Sequence, residues 1–276
     1  MRAAPWILAL AVLASGCSHD SKRQAKGSPA PVVTRTDSAP SSSGGPHAAS
    51  KPAAKPAGRA AKPKPQRARR ALPWQANGLS RVVHVKVPRV AVYSSPRAKR
   101  ALLVLRKRDP RGTQRAFLVR STTRKWIRVY LPSRPNGSQG WVRTRAVRMY
   151  TNGYRVVVRL RSHKLRLWRG TKVVATYPVA IGTRSTPTPR GLFYVVELLK
   201  PHNPNGSYGP YAFGLSAHSQ RLKTFAGGDG RVGLHGTDQP GLIGSSVSHG
   251  CIRLRNPAIR RLAKILPLGT PVLIRA

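Results

Sequence analysis

The feature that most limits the possible folds is a succession of short, β-branched runs that begins at Ser80 and continues almost to the C-terminus. Val83, Val85 and Val87 occupy alternate positions, as in a strand that buries one face. Each run is bounded by Gly, Pro, Asn or Ser, which interrupt regular structure and favour turns. The pattern therefore predicts a mainly β protein. Further runs in the first part of this region are residues 90–93, 116–119, 125–129 and 140–142.

The C-terminal part continues with consecutive hairpins. Residues 154–160, 164–168 and 172–179 are strand-like, and Arg169-Gly170-Thr171 is expected to form a tight connection between two of them. Residues 191–196 and 272–274 are predicted to be further strands. About 120 residues are enough for one hydrophobic core.

One stretch has the pattern of a helix. Asn256 followed by Pro257 is typical of a helix start, and Ile259, Leu262 and Leu266 follow at spacings of three and four. We expect Asn256 to be the N-cap and Pro257 the first helical residue. The fold class predicted from these patterns is mainly β, with one or two short helices in the C-terminal part.

The chain begins with an export-type leader. Met1-Arg2 is a short positive start, and residues 5–14 are apolar but too few to span a bilayer. The small residues Ser15 and Gly16 precede Cys17 and resemble a lipoprotein lipobox, in which the cysteine is lipidated. Residues 1–17 are thus predicted to be a lipoprotein-type signal peptide, with an ordinary signal peptide cleaved near Gly16 as the alternative.

Composition changes abruptly after the leader. Residues 18–71 are rich in Lys, Ala and Pro and contain almost no large apolar side chains, so burial cannot offset the entropy of ordering them. We predict a disordered linker there, followed by a small β domain over residues 72–150 and a second domain over residues 151–276. The predicted product is exported and anchored to the outer face of the cytoplasmic membrane.

The charge limits the possible partners. The chain has 51 Lys and Arg against 6 Asp and Glu, and the basic residues are spread over all of its parts. Nucleic-acid-binding proteins more often concentrate basic residues in one patch with stacking aromatics. We therefore expect no nucleic acid as partner, whereas anionic wall polymers or a membrane surface fit an exported basic chain. The histidines show no metal-ligand spacing, so no metal site is predicted.

The pattern with the most chemical content surrounds Cys251. His249 lies two positions before it, Gly250 directly before it, and His235 sixteen positions upstream. A cysteine attacks as its thiolate and needs a neighbour to take its proton, a task that suits histidine near neutral pH. We expect Cys251 to be the nucleophile and His235 its base. The N–H of Cys251, with that of Gly250 or a neighbour, is the expected oxyanion donor.

Other residues of this region are supporting candidates. His249 has two possible roles, polarising the thiol or making a structural hydrogen bond. Arg253 could bind a substrate carboxylate through its planar guanidinium or hold the turn in place. Ser248 is expected to be a turn residue. Asp229 and Asp238 are the nearby acids that could orient the base.

These residues resemble the signature of the YkuD-type L,D-transpeptidases. The signature is a His-Gly pair, here residues 235–236, then a spacer, then Ser-His-Gly-Cys, an aliphatic residue and Arg, here residues 248–253. The stretches 186–191 and 213–216 also fit, and the resemblance covers residues 154–276. It implies that the carbonyl of Gly236, rather than an acid, orients the base. The spacer is shorter here than is usual in the family.

A second resemblance concerns the preceding β region. Its order of Val-Tyr, Trp126, an Asn-Gly turn and Trp141 resembles bacterial SH3-like domains, small barrels that often bind wall peptides. The resemblance covers about residues 80–150. Trp126 and Trp141 are expected in the barrel core rather than in a ligand platform. The alternative is a barrel that serves only as a spacer.

The YkuD-type resemblance implies a function. Such enzymes attack a tetrapeptide stem of peptidoglycan, release its terminal D-Ala, and pass the thioester to an amine of a second stem, giving a 3→3 cross-link. They need no cofactor, and we expect a monomer. We further predict that Pro187, Pro189 and Gly191 shape a cleft that excludes water and so favours the amine.

Three alternatives remain at this point. With water as acceptor, the same site is an L,D-carboxypeptidase. A sortase-like enzyme also uses Cys, His and Arg, but the chain lacks a Thr-Leu-x-Thr-Cys stretch. A wall-binding lipoprotein without catalysis would not require the intact Ser-His-Gly-Cys sequence.

Overall fold

A computed structural model of the chain describes residues 72, 74, 76–225 and 227–276. The predictions for the leader, for lipidation of Cys17 and for the linker lie outside these residues, apart from the prediction of a domain start at Leu72. In the described part of the chain, no helix has the length and apolarity that crossing a bilayer requires.

The first half of the described chain is built only from strands and turns, apart from one 3₁₀ turn at Thr144–Ala146. A five-stranded sheet has the order β6-β5-β4-β1-β7, and β2 and β3 form a separate hairpin. All of its pairs are antiparallel, as expected for short strands joined by tight turns. Its strands are β1 (Ser80–Val85), β2 (Arg89–Val92), β3 (Leu103–Arg106), β4 (Ala116–Thr122), β5 (Trp126–Tyr130), β6 (Gln139–Arg143) and β7 (Val147–Asn152).

The second half forms an eight-stranded mixed sheet and one helix. The sheet order is β10-β9-β8-β17-β12-β13-β14-β16, and β11 pairs with β15 beside it. A 3₁₀ turn, Pro240–Leu242, lies between β14 and β15. The elements are β8 (Tyr154–Arg159), β9 (Lys164–Arg169), β10 (Lys172–Pro178), β11 (Ile181–Gly182), β12 (Gly191–Leu199), β13 (Ala212–His218), β14 (Arg231–His235), β15 (Ser246–Ser248), β16 (Ile252–Arg253), α1 (Asn256–Ile265) and β17 (Pro271–Arg275).

Each half has its own buried apolar cluster, and one tyrosine joins the two. Tyr194 belongs to β12, yet its fully buried ring packs in the cluster of the first half. Its hydroxyl donates to the carbonyl of Tyr130 at 3.1 Å. Near it, the amide of Asn152 donates to the hydroxyl of Thr270 at 3.0 Å. The two halves therefore meet through buried contacts as well as through the chain connection.

The mainly β class is confirmed, as are the hairpin at Gly170 and the closing strand. The prediction that Asn256 caps the helix is wrong. Arg255 is the N-cap residue and makes no side-chain cap hydrogen bond. The side chain of Asn256 instead accepts from the N–H of Thr237 at 2.9 Å. A long-range contact has thus replaced the local cap.

The two tryptophans differ in their surroundings. Trp126 is buried, lies edge-on to Tyr93, and is covered by the guanidinium of Arg143 at 3.9 Å from its ring centre. Trp141 is half-buried, with Arg128 at 5.7 Å. Trp126 thus fits a core position more fully than Trp141. The SH3-like assignment and the domain boundaries stay predictions.

Candidate active site

Two neighbouring strands bring the predicted catalytic residues together. β14 ends at His235, and β16 begins directly after Cys251 and pairs with β14 in parallel. The register places Leu234 beside Ile252, and both side chains are fully buried. Burial of this apolar pair fixes the register, since a shift of one residue would turn it toward solvent. The sixteen-residue spacing in the sequence thus becomes adjacency across two strands.

Cys251 is half-buried, and its sulfur is held by the backbone. It accepts a hydrogen bond from the N–H of Gly233 at 3.3 Å. Burial raises the pKa of the Cys251 thiol, while the Gly233 N–H and the charge of Arg253 act in the opposite direction. The net direction keeps the resting group as a thiol at neutral pH, so a base must take its proton during attack.

His235 has the surroundings of a neutral base. The residue is 4% exposed, and its Nδ1 lies 2.7 Å from the carbonyl oxygen of Gly236. A carbonyl only accepts, so Nδ1 carries the hydrogen and Nε2 keeps its lone pair. Burial, together with the charge of nearby Arg253, lowers the pKa of His235 to about 4, although the Gly236 hydrogen bond acts in the opposite direction. The ring is uncharged at neutral pH and packs against Tyr208.

Gly233 lies beside both groups, and the sequence patterns assigned it no role. A Cβ on this residue would lie 3.5 Å from Cδ2 of His235 and 3.7 Å from Sγ of Cys251. The base and the nucleophile therefore border the same small space.

Neither candidate acid orients the base. The carboxylate of Asp229 lies 3.0 Å from Nε2 of His218 and 3.4 Å from a guanidinium nitrogen of Arg231. Asp238 acts on His235 only through its charge, which raises the pKa slightly against the effect of burial. The geometry at Gly236 matches what the family resemblance implied.

Ser248 ties the turn that carries Cys251. Its hydroxyl donates to the carbonyl of Cys251 at 2.6 Å and accepts from the N–H of Gly250 at 3.1 Å. Gly250 has a φ of +113°, a conformation that side chains disfavour. The amide of Gly250 is thus already used, which contradicts its expected part in the oxyanion hole. Within the described chain, the N–H of Cys251 has no acceptor and is the remaining candidate.

A threonine-proline stretch supports this turn from behind. The hydroxyl of Thr186 donates to the carbonyl of Ser248 at 3.2 Å, and the N–H of Thr183 donates to the same oxygen at 3.0 Å. Neither Pro187 nor Pro189 lines the cavities described below. The stretch contacts the turn that carries the nucleophile, and its part in a cleft that excludes water stays a prediction. Gly191 lines a separate cavity near Leu273.

Asn256 braces the loop that follows the base. A Cβ on Gly236 would come within 2.4 Å of Oδ1 of Asn256 and within 3.0 Å of Cα of Gly209. Gly236 is therefore required by close packing, and its carbonyl is held in place to accept from His235. The Asn256 contact was missed because the Asn-Pro pair is also a common helix start.

Two cavities lie next to Cys251. One is a small cavity of about 70 Å³, whose walls include His235, Arg253 and His249. The other is a cleft of about 470 Å³, which runs from Cys251 past Phe213 toward the first half of the chain. Tyr208 and Phe225 border both cavities.

His249 and Arg253, for each of which two roles were considered, have distinct surroundings in the small cavity. His249 is exposed, and its ring lies 5.2 Å from that of Phe225. Its two proposed roles, polarising the thiol and making a structural hydrogen bond, stay predictions. Arg253 is half-buried, and its Nε has no hydrogen-bond partner among the described residues. The backbone of Arg253 pairs with Ala180 on the other side.

Comparison with known proteins identifies the C-terminal half. Residues 153–274 match the family model of YkuD, the L,D-transpeptidase catalytic domain. The YkuD protein of Bacillus subtilis is 38% identical over 125 residues, 45% of this chain and 68% of that protein. The YkuD protein of Bacillus licheniformis is 40% identical over 121 residues, 44% of this chain and 65% of that protein. The chain spans about two thirds of the length of these relatives.

Solved structures of similar proteins include an L,D-transpeptidase from Mycobacterium smegmatis, with 17% identity and a TM-score of 0.37 over 52% of this chain and 76% of that one. Bd1075 of Bdellovibrio bacteriovorus has 29% identity and a TM-score of 0.37 over 45% of this chain and 48% of that one. On its match to the family model and to the Bacillus subtilis relative, the chain belongs to the YkuD family of L,D-transpeptidase catalytic domains.

Proposed function

We propose that this protein is a peptidoglycan L,D-transpeptidase in which Cys251 is the nucleophile and His235 the general base. One observation carries the proposal: His235 is buried and neutral, its Nδ1–H is held by the Gly236 carbonyl, and its ring borders the space that holds the Cys251 thiol. A neutral imidazole with a fixed tautomer can accept the proton of a thiol as the thiol attacks a carbonyl.

In the first half-reaction, the Cys251 sulfur forms a bond to the carbonyl carbon that precedes the terminal D-Ala. The thiol proton passes to Nε2 of His235. When the tetrahedral intermediate collapses, the bond from carbon to the D-Ala nitrogen breaks, and His235 returns the proton to the leaving amine. The unpaired N–H of Cys251 would stabilise the developing oxyanion. The products are D-Ala and a thioester on Cys251.

In the second half-reaction, the amine of another stem attacks the thioester. The sulfur leaves and regains its proton, and a 3→3 amide bond is formed between the stems. Two adjoining cavities that both include Cys251 support this reading, because a donor and an acceptor peptide must both reach one sulfur. Water in place of the amine would make the same site an L,D-carboxypeptidase.

Arg253 fits a substrate carboxylate better than a purely structural role. Its Nε is buried without a partner among the described residues, and the residue lines the small cavity beside His235 and Cys251. A guanidinium can satisfy an unpaired donor by binding a carboxylate with two hydrogen bonds.

The test is incubation of the wild-type protein and Cys251→Ala with purified tetrapeptide stems, followed by mass analysis. We expect wild-type protein to release D-Ala and to form dimers joined between third residues. Cys251→Ala should do neither. Tripeptide and D-Ala without dimers, even at high stem concentration, would replace the proposal with the carboxypeptidase. Turnover by Cys251→Ala would overturn the site assignment.

The lipid anchor at Cys17 remains part of the proposed function. A tether followed by a long linker would let the catalytic half work in the cell wall while the protein stays anchored to the outer face of the cytoplasmic membrane. Fractionation tests this: wild-type protein should partition with detergent, and Cys17→Ser should leave that phase or fail to mature. A soluble wild-type protein whose mature N-terminus carries no acyl mass would contradict the anchor.

A further inference from the structure

The substrate cleft of the C-terminal half is bordered by a loop from the first half of the chain. Arg111, in the loop between β3 and β4, lines the 470 Å³ cleft that contains Cys251. It also lines an adjoining cavity of about 340 Å³. The charged residues of that second cavity come from both halves: Asp109, Arg111, Arg115, Glu197, Asp229 and Arg231.

Arg111 is anchored by a buried carboxylate. Glu197, on β12, is 5% exposed, and its Oε2 accepts from Nη1 of Arg111 at 3.1 Å. The carboxylate fits against Gly214 on the next strand, where a Cβ would come within 2.4 Å of Oε1. A buried carboxylate needs a charged partner, so this pair fixes where the guanidinium lies.

The loop itself is also held in shape. Oδ1 of Asp109 accepts from the N–H groups of Arg111 and Thr113, each at 2.9 Å. A guanidinium nitrogen of Arg108 donates to the carbonyl of Gly112 at 2.6 Å. The backbone under Arg111 is therefore ordered before any ligand arrives, which lowers the entropy cost of binding through this side chain.

The first half is clamped to the catalytic half close to this point. Arg134 donates to the carbonyls of Ser219, Leu222 and Asp229 at 2.6 to 3.0 Å. The side-chain amide of Asn136 forms two hydrogen bonds with the backbone of His218, at 2.7 and 2.9 Å. The position of the first half, and with it the Arg111 loop, is therefore fixed relative to the cleft.

We propose that Arg111 is a specificity-determining residue that binds a carboxylate of an acidic peptide substrate in the cleft leading to Cys251. The inference rests on the proposed function. The side chain is 61% exposed although one of its nitrogens pairs with Glu197. A guanidinium has five N–H donors in a planar fork, so donors remain for a second carboxylate. The first half of the chain thus takes part in substrate recognition and is more than a spacer.

The competing explanation is that Arg111 only neutralises Glu197. The experiment that separates the two compares the full-length wild type with Arg111→Ala on stem tetrapeptides. Each stem is used in its native acidic form and in forms with one carboxyl at a time converted to carboxamide. The rate of D-Ala release gives KM and kcat for each combination of protein and stem. Thermal unfolding of each variant shows whether the substitution has destabilised the fold.

We expect Arg111→Ala to raise KM for the acidic stem about tenfold to a hundredfold with a smaller change in kcat, as for loss of a charge-assisted hydrogen bond. With one amidated form, wild type and variant should have the same KM. Arg111→Lys, which keeps the charge but not the fork, should recover part of the loss. Arg100→Ala removes an exposed arginine of the same half that lines neither cavity, and should match wild type.

An equal loss on acidic and amidated stems would overturn the inference and leave Arg111 as a partner of Glu197 only. An unchanged KM in Arg111→Ala would also overturn it. Both results are distinct from failure of the proposed function, in which the wild-type protein would release no D-Ala from any stem.

Discussion

Two segments border Cys251, and they are held in place by different means. Residues 248–253 form a turn whose ties all come from the C-terminal half: the Ser248 hydroxyl bonds the backbone of Gly250 and Cys251, and Thr183 and Thr186 donate to the Ser248 carbonyl. Residues 219–230 carry Phe225 and Asp229 into the cleft walls. Besides local hydrogen bonds of their own, they accept hydrogen bonds from Arg134, more than 80 positions away in the first half of the chain.

This difference suggests separate experiments for the two segments, since one carries the reacting groups and the other borders the cleft. The nucleophile and its base each belong to a short sequence motif. Their positions depend on backbone geometry that the C-terminal half supplies by itself. The wall of the larger cleft beside them also includes Arg111, which belongs to the first half. Damage to the turn should therefore abolish the reaction, and damage to the clamp should weaken binding of the substrate.

The largest expected effect is that of His235→Ala. Removal of the base should lower kcat for D-Ala release by about 10²–10⁴-fold, because the resting thiol then has no group to take its proton. The matched control is His249→Ala, which removes an exposed histidine two residues before the nucleophile. We expect the control to change the rate only a few-fold. Equal losses in both variants would contradict the assignment of the base.

The pH dependence of kcat/KM also distinguishes a buried histidine base from an exposed one. A base with the ordinary pKa of 6.5 would be only about 3% neutral at pH 5. His235, with a pKa of about 4, would be about 90% neutral there. The acid limb of kcat/KM should therefore lie near pH 4, a difference of about thirtyfold at pH 5. A limb near pH 6.5 would show that the base is exposed.

The stability of the folded protein should also depend on the protonation of His235. Burial holds the pKa of His235 below its unfolded value, so the unfolded chain binds more protons between pH 6.5 and about 4. The contribution of His235 to the free energy of unfolding is therefore fully present above pH 6.5. It falls as the pH is lowered from 6.5 to about 4. From pH 7 to pH 5 the loss from His235 is about 2 kcal/mol. Urea unfolding of wild type and His235→Gln at both pH values measures it, and the variant should lack this part of the loss.

Gly236→Ala tests the loop behind the base. The added Cβ would meet Oδ1 of Asn256 at 2.4 Å, so the loop or the helix start must shift. Overpacking of this kind costs about 1–3 kcal/mol of unfolding free energy. The control is Gly241→Ala, where nothing lies within 4 Å of the new Cβ. A Gly236→Ala protein as stable as wild type would show that the packing there is loose.

Arg134→Ala tests the clamp from the first half. Loss of hydrogen bonds to three carbonyls should let residues 219–230 open more often, by about tenfold if one to two kcal/mol is lost. Hydrogen exchange of that segment, followed by mass spectrometry, measures the change. Arg145→Ala, at an exposed site in the same half, is the control. Unchanged exchange in Arg134→Ala would mean that the segment is held by its own contacts.

Sequence patterns predicted the parts of the fold that depend on local chemistry. Alternating valines and turn glycines predicted the strands around Val83 and the hairpin at Gly170, since period and turn type are properties of neighbouring residues. β13 was missed because all seven of its residues are buried, so it lacks the alternation that marks a half-exposed strand. The prediction that Asn256 caps the helix was wrong because its side chain accepts a hydrogen bond from the distant N–H of Thr237 instead.

The site shows the same division. Cys251, His235 and the Gly236 carbonyl followed from a contiguous signature and the family resemblance. The roles of Gly233, Arg111 and Arg134 did not, because each depends on which strands and loops lie together in space. The amide of Gly250 was one of two candidates to assist the Cys251 N–H in the oxyanion hole, the other being a neighbouring group. The structure pairs this amide with Ser248, a hydrogen bond that no residue pattern specified.

The central claim, that Cys251 forms a thioester with the substrate, is tested most directly by trapping that intermediate. Wild-type protein is mixed with stem tetrapeptide, quenched in acid within one turnover, digested and mapped by mass spectrometry. The account predicts that the peptide containing Cys251 gains the mass of the stem minus D-Ala, and that Cys251→Ala gains nothing. D-Ala release with no adduct on Cys251, or an adduct on another residue, would contradict it.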